Sequence, residues 1–280
     1  MLFSDVLFAV MAASQKMAGR TLPAAEVVFV RSLFSMGFVG ILLARNRVPL
    51  RANEPGLLCA RAVFGFAALQ MYFWAIPQIA LGTAVMLNYL APIAAVILSF
   101  YALHERPQSG VKFMLLLSFI GVYALTAPHT ASRLLPLGAA ALSGLLAGSV
   151  QVMIRQSGRT DSPLLVVFYF TVACVIGSGL LLLKTGFVRP NALEWSALAL
   201  VTLSSLAGQL CMTTALMEAP IWVVSPLGYL TPVLGALLGY LFWKEIPTPL
   251  NAAGAMMVIG CGVAMLLNSR KVWTTSSDKP

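Results

Sequence analysis

The chain states one pattern twice. Residues 75–107 read AIPQIALGTAVMLNYLAPIAAVILSFYALHERP, and residues 215–247 read ALMEAPIWVVSPLGYLTPVLGALLGYLFWKEIP. At an offset of 140, with no gap, Ala75, Leu87, Tyr89, Leu90, Pro92, Leu98, Glu105 and Pro107 fall on Ala215, Leu227, Tyr229, Leu230, Pro232, Leu238, Glu245 and Pro247. The chain has 280 residues, so the offset is half its length. A chain duplicated in this way folds as two related units that bury their apolar faces together.

Composition says what those units sit in. The hydrophobic fraction is 59% and the charged fraction 10%, against roughly 45–50% and about 25% in soluble domains. A soluble core cannot absorb that much apolar surface, so this is an all-α polytopic membrane protein. In such chains an internal repeat is a mark of secondary transporters, whose substrate site lies between the repeats. The net charge of +9 comes from Lys and Arg placed mostly between apolar runs. There it sets topology and meets lipid headgroups. No basic patch interleaved with aromatics appears, which argues against nucleic acid as a partner.

A membrane helix takes about 20 apolar residues. Ten such spans are predicted: 2–18, 24–44, 55–76, 79–103, 110–127, 134–154, 163–184, 193–216, 220–243 and 250–268. The breaks carry Pro, Gly and charge, as in Gly19-Arg20-Thr21-Leu22-Pro23 and His104-Glu105-Arg106-Pro107. The first span starts at once, with no basic leader or small-residue cleavage signal, and reads as a membrane helix rather than a signal peptide. The polar tail 269–280 is expected to be cytoplasmic and disordered.

The repeat extends past its strongest stretch. Gly19-Arg20-Thr21 recurs as Gly158-Arg159-Thr160, and Glu54 as Glu194. The halves are therefore residues 1–127 and 134–268, each with five helices. An odd number makes the second half enter the membrane from the opposite side, so the repeats are inverted about an axis in the membrane plane. With both termini inside, the inner segments hold ten Lys and Arg and the outer ones six. That favours cytoplasmic termini in a cell inner membrane.

Several residues stand out at membrane depth. Pro92 and Pro232 occupy matched places in the fourth and ninth spans; proline removes a backbone donor and kinks a helix, so a paired gate is expected there. Tyr89 and Tyr229 lie almost one turn earlier. Arg31 and Arg61 lie inside the second and third spans, where a charge normally faces a partner or water, although both are close enough to a helix end to snorkel. Gln15, Gln70, Asn88, Gln151 and Gln209 are uncharged polar groups that either line a cavity or tie helices together. Tyr72 and Trp222 are further cavity candidates, whereas Trp74, like Trp195, Trp243 and Trp273, reads rather as part of the interfacial aromatic belt. Gly144-x-x-x-Gly148 and Gly235-x-x-x-Gly239 favour close packing within the chain over dimerisation; a homodimer is left open. Cys59, Cys174, Cys211 and Cys261 all sit in apolar runs and read as small buried hydrophobes.

Enzyme chemistry finds little footing. The two histidines, His104 and His129, sit in loops with no nucleophile nearby, and no metal or nucleotide motif is present. No cofactor is expected. The glutamates fall near span ends, so no proton relay is evident.

The fourth and ninth spans carry a resemblance. Ala75-Ile76-Pro77-Gln78, Tyr89-Leu90-Ala91-Pro92, His104-Glu105-Arg106-Pro107, Gly110 and Gly121, with Ala215, Tyr229-Leu230-Thr231-Pro232, Lys244-Glu245 and Gly254 in the second copy, resemble the EamA family of the drug/metabolite transporter superfamily. Pro23 and Arg31 match its second-helix pattern. The resemblance implies ten helices, cytoplasmic termini, a central cavity lined mainly by helices one to four and six to nine, and gating by bending of helices four and nine. Two departures stand out. Met11-Ala12-Ala13 occupies the place of a frequent Trp-Gly. Lys244-Glu245-Ile246 replaces the Glu-Arg of the first copy, which predicts a different role for that loop.

The reading is then a carrier that moves a small organic metabolite, amino-acid-like or otherwise anionic or zwitterionic, by alternating access. Arginines favour a carboxylate or phosphate because they bind it bidentately. A membrane-embedded lipid-modifying transferase and a non-transporting membrane assembly partner are the alternatives. The first would need clustered acids or histidines in a loop, and the second would show no polar cavity.

Overall fold

A computed structural model describes residues 1–105, 134–246 and 248–276, with single positions between 110 and 124; the side chains of 226, 258, 262 and 265–276 are not described. Most of the predicted fifth span, together with Arg106, Pro107, Pro247, the loop at His129 and residues 277–280, lies outside the described residues.

The described elements are helical. They are α1 (Leu2–Ala18), α2 (Ala24–Arg45), α3 (Pro55–Ala75), a 3₁₀ turn (Ile76–Gln78), α4 (Leu81–Asn88), α5 (Ala91–Ala102), α6 (Leu134–Ser157), α7 (Pro163–Thr185), α8 (Ala192–Glu218), α9 (Ile221–Val224), a second 3₁₀ turn (Ser225–Tyr229), α10 (Leu230–Trp243) and α11 (Pro249–Ser276). Seven stretches are long and apolar enough to cross a membrane: Ala24–Arg45, Pro55–Gln78, Leu81–Ala102, Leu134–Ser157, Pro163–Thr185, Ala192–Glu218 and Ile221–Trp243. α1, with 17 residues, lies at the short limit of a span.

The ends follow local chemistry. Prolines open α3 and α7 at positions where the missing N–H costs nothing. Ser162 Oγ accepts from the Leu165 N–H, and Asn191 with Glu194 forms a reciprocal capping box on α8. α11 runs on to Ser276. This corrects the expectation of a disordered tail from 269, because no Gly or Pro follows Gly262 until Pro280 to stop the helix.

The fourth span is two helices, not one. α4 ends at Asn88 and α5 begins at Ala91. The counterpart breaks at the same place in the repeat, where α9 gives way to the 3₁₀ turn Ser225–Tyr229 and then α10. Pro92 and Pro232 sit just beyond these breaks, where they cannot donate to the carbonyls of Asn88 and Gly228.

α1 packs most closely on α8 and also on α10; α3 packs on α6 and α7; α2 packs on α7 and α8; α5 packs on α6, and α4 on α10. The core between the halves holds Val27, Val28, Phe73, Cys174 and Val201. Large apolar side chains point outward, among them Phe34, Phe38, Ile41, Leu183, Leu203 and Phe242. In hydrocarbon that surface is in its proper solvent.

Both G-x-x-x-G pairs are spent inside the chain. A Cβ on Gly144 would lie 2.6 Å from the Leu87 carbonyl oxygen and 2.7 Å from that of Asn88, and Gly235 faces Val85. α6 thus reaches the broken backbone of the fourth span.

Candidate functional site

A cavity of about 140 Å³ lies between the halves, at the two helix breaks. α1 contributes Phe8 and Met11, α2 Arg31, α3 Arg61 and Tyr72, and α6 Gln151. Phe170 comes from α7 and Gln209 from α8, while Asn88, Tyr89, Pro92, Ser225, Gly228 and Thr231 come from the breaks themselves. That volume holds several waters or a small organic group.

Most of its polar groups are already partnered. Asn88 Nδ2 donates to Ser143 Oγ at 2.9 Å. Gln151 Oε1 accepts from Ser225 Oγ. Gln209 Nε2 donates to Thr213 Oγ1 at 3.3 Å. The arginines differ. Arg31 is 4% exposed and Arg61 1%. Arg31 Nε and Arg61 Nε and Nη1 are buried without a hydrogen-bond partner. What they have is aromatic faces: Arg61 Cζ lies 4.3 Å from the Phe170 ring centroid, and Arg31 Cζ lies 5.9 Å from the same ring and 5.8 Å from that of Phe73. Such contacts offset part of the cost of a buried guanidinium but accept none of its protons.

Of the residues singled out in the sequence, Arg31, Arg61, Asn88, Tyr89, Gln151, Gln209 and Pro92 line this cavity, as does Tyr72. Gln15, Gln70, Tyr229 and Pro232 are not among its lining residues. Gln15 instead ties α1 to the end of α3, its Nε2 donating to the Phe73 carbonyl at 3.2 Å. Tyr229 is 2% exposed and packs on Tyr89, ring centroids 6.4 Å apart, so the matched tyrosines meet each other. Pro232 is buried within α10. Trp74 is 39% exposed, and Trp222 packs against an apolar cluster drawn from both halves.

Three features were not read from the sequence. Phe170 is one, hidden in the aromatic run Phe168-Tyr169-Phe170. Asp5 is another: it is fully buried in α1, with Oδ1 3.3 Å from the Thr231 hydroxyl and Oδ2 unpartnered. A first-turn acid reads as an ordinary helix start, which is why it passes unnoticed.

The third is a matched pair of ionic clasps. Glu245 pairs with Lys16 at the end of α1, and its Oε2 accepts from the Leu81 N–H, at the start of α4, at 2.8 Å. Glu105 pairs with Arg155 at 3.2 Å, and its Oε2 accepts from the Ile221 N–H, at the start of α9, at 3.0 Å. Leu81 and Ile221, like Glu105 and Glu245, are 140 apart. Lys16 Nζ also donates to the Ile79 carbonyl at 3.0 Å, and Arg155 Nη1 to that of Met217 at 2.6 Å. His104 and Lys244 both take φ of 56°, turning each glutamate back over its helix. Two matched non-glycine residues in this costly region mark a geometry fixed by its surroundings. The glutamates therefore share one structural role despite the different sequences around them, which corrects the expectation that the Lys244-Glu245-Ile246 loop differs. Since α4 and α5 run as one broken span, the two clasps sit at its opposite ends.

Comparison with known proteins agrees with this architecture. The EamA-like transporter family matches residues 1–127 and 134–268. The pseudopaline exporter CntI of Pseudomonas aeruginosa is 32% identical over 92% of this chain and 91% of its own length. A riboflavin transporter of Brucella anthropi is 24% identical over 92% and 93%, and an S-adenosylmethionine uptake transporter of Rickettsia prowazekii 21% over 94% and 90%. A solved crystal structure superposes with a TM-score of 0.71 at 20% identity, covering 96% of this chain and 98% of that one, which speaks to fold alone. With a repeat in each half, paired helix breaks, a central cavity and these relatives, the chain belongs to the EamA-like transporter family.

Proposed function

We propose that this protein is an inner-membrane carrier that exports a small organic metabolite of anionic or zwitterionic character by alternating access. Ten helices form two inverted five-helix repeats with both termini cytoplasmic, and the fourth and ninth helices bend at Pro92 and Pro232.

The packing supports the inverted repeat. Exchanging the halves turns the α1–α8 contact into α6–α3, α1–α10 into α6–α5, and α3–α7 into α8–α2, while α2–α7 maps onto itself. Every one of those contacts is present, as a twofold between the halves requires, and five helices per half would put that axis in the membrane plane. The duplicated clasps support the switching and are the observation that carries it. Each ties a helix end of one half to the start of a broken helix in the other, and the two lie at opposite ends. Releasing one and keeping the other gives the cavity a single opening at a time. Both are formed here. The relative at 32% identity is named an exporter, and outward movement is the direction adopted.

Counterflow in proteoliposomes tests the reading. Vesicles carrying the purified chain and preloaded with unlabelled metabolite are expected to accumulate the labelled compound saturably for at least one member of a broad panel of organic acids and amino acids. No saturable flux for any member contradicts a carrier.

A further inference from the structure

If the protein is a carrier as proposed above, its two buried arginines define the cargo further. Both come from the first half, α2 and α3, and the repeat supplies no counterpart: Val201 occupies the place of Arg61. The site is therefore a local departure from the duplicated frame.

Its geometry is built rather than incidental. Arg31 and Arg61 stand over one ring, that of Phe170, at 5.9 and 4.3 Å from its centroid, so one small molecule spans both guanidinium groups. Phe170 can lie there because Gly65, one turn beyond Arg61, has no side chain; a Cβ would come within 3.0 Å of the ring. The stacked ring restricts the guanidinium planes and leaves their edges as donors. Nε of Arg31 and Nε and Nη1 of Arg61 have no acceptor. No Asp or Glu lines the cavity, and among the described residues no ion pair reaches either arginine. Lys16 and Arg155 do not compete for an anion, being committed to Glu245 and Glu105.

Two cations this close repel each other, and burial makes each depend on a counter-charge. A monoanion answers one and leaves the other uncompensated. The amide groups nearby already have partners in Ser143, Thr213 and Ser225, so the charge is the unmet demand of the site. We propose that the cargo is a dianion, an organic acid presenting two carboxylates, one to Arg31 and one to Arg61, across the edge of Phe170.

The test uses the full chain in detergent, with succinate, glutarate and adipate against their monomethyl esters, read as the rise in unfolding midpoint that binding produces. At least one diacid is expected to act at concentrations about tenfold or more below its ester. Arg31→Gln and Arg61→Gln are each expected to erase that preference. Arg61→Lys keeps the charge but loses the fork; it is expected to fold like the native chain and retain part of the preference, which separates recognition from misfolding. Esters that match the diacids, or an Arg61→Gln protein that keeps the full preference, overturn the proposal. Counterflow of neutral or cationic compounds that no diacid inhibits also overturns it, and leaves the carrier reading intact. Diacid binding with no counterflow of any compound instead retains the dianion site and defeats the carrier.

Discussion

Glu105 accepts a hydrogen bond from the Ile221 backbone N–H at 3.0 Å, so an acid of the first half holds the opening turn of a helix in the second. Glu245 does the same for Leu81 in the reverse sense. Two symmetric bonds that cross the halves at opposite ends are what a molecule needs if it is to open one end while the other stays shut.

The pairing itself is measurable. Glu105→Gln and Arg155→Gln each remove one charge from a largely buried contact, at a cost of about 1.5–3 kcal/mol per charged hydrogen bond lost. If the two act as a unit, the double variant loses less than the sum of the singles, by roughly 0.5–3 kcal/mol in unfolding experiments. Strict additivity would show that they do not interact.

Arg61 predicts a trade-off. Even a complete buried ion pair can often be replaced by apolar residues at no cost or with a gain of about 1–4 kcal/mol, and a buried guanidinium with no ion partner has less attraction to lose. Arg61→Leu is therefore expected to raise the unfolding midpoint of the unliganded protein and to abolish counterflow. A variant that is less stable yet transports normally would assign Arg61 to packing.

Gly144 sets how closely α6 approaches the broken fourth span. A Cβ there meets two carbonyl oxygens, which cannot rotate away, at 2.6 and 2.7 Å. Gly144→Ala is expected to destabilise by about 1–3 kcal/mol. Gly138→Ala on the same helix meets nothing within 4 Å, and is expected to be neutral or to stabilise by up to about 1 kcal/mol. Equal effects at the two sites would remove the close-contact explanation.

The prolines concern rate rather than affinity. Pro92→Ala with Pro232→Ala restores two backbone donors and favours straight helices. Turnover in counterflow is expected to fall, while half-saturation moves less. Unchanged turnover would release the prolines from any part in gating.

Much of this was legible in the sequence because the repeat supplied it. The offset of 140 paired both prolines and both glutamates, and the Gly and Pro punctuation placed nearly every outer end of the described spans within a turn, although a kink rather than a full break was expected at the prolines. The facing of side chains was harder. A membrane helix is apolar on every side, so nothing in the pattern tells Gln15, which ties two helices, from Gln151, which lines the cavity. Phe170 reads as one more lipid-facing aromatic until the fold puts it under two arginines. The clasp partners are also invisible locally, since Lys16 and Glu245 stand 229 residues apart. The glutamates could be matched by offset, but only the packing reveals that each reaches across to the other half.

The central claim, that the two clasps close opposite ends in alternation, is tested most directly by spin-label distances in a cysteine-free background. One label pair at Arg20 and Lys244 reports the Lys16–Glu245 end, and one at His104 and Arg159 reports the Glu105–Arg155 end. Glu105→Gln is expected to lengthen the His104–Arg159 distance and leave Arg20–Lys244 short. Glu245→Gln is expected to do the reverse. Distances that lengthen together at both ends, or at neither, would contradict alternating access through these clasps.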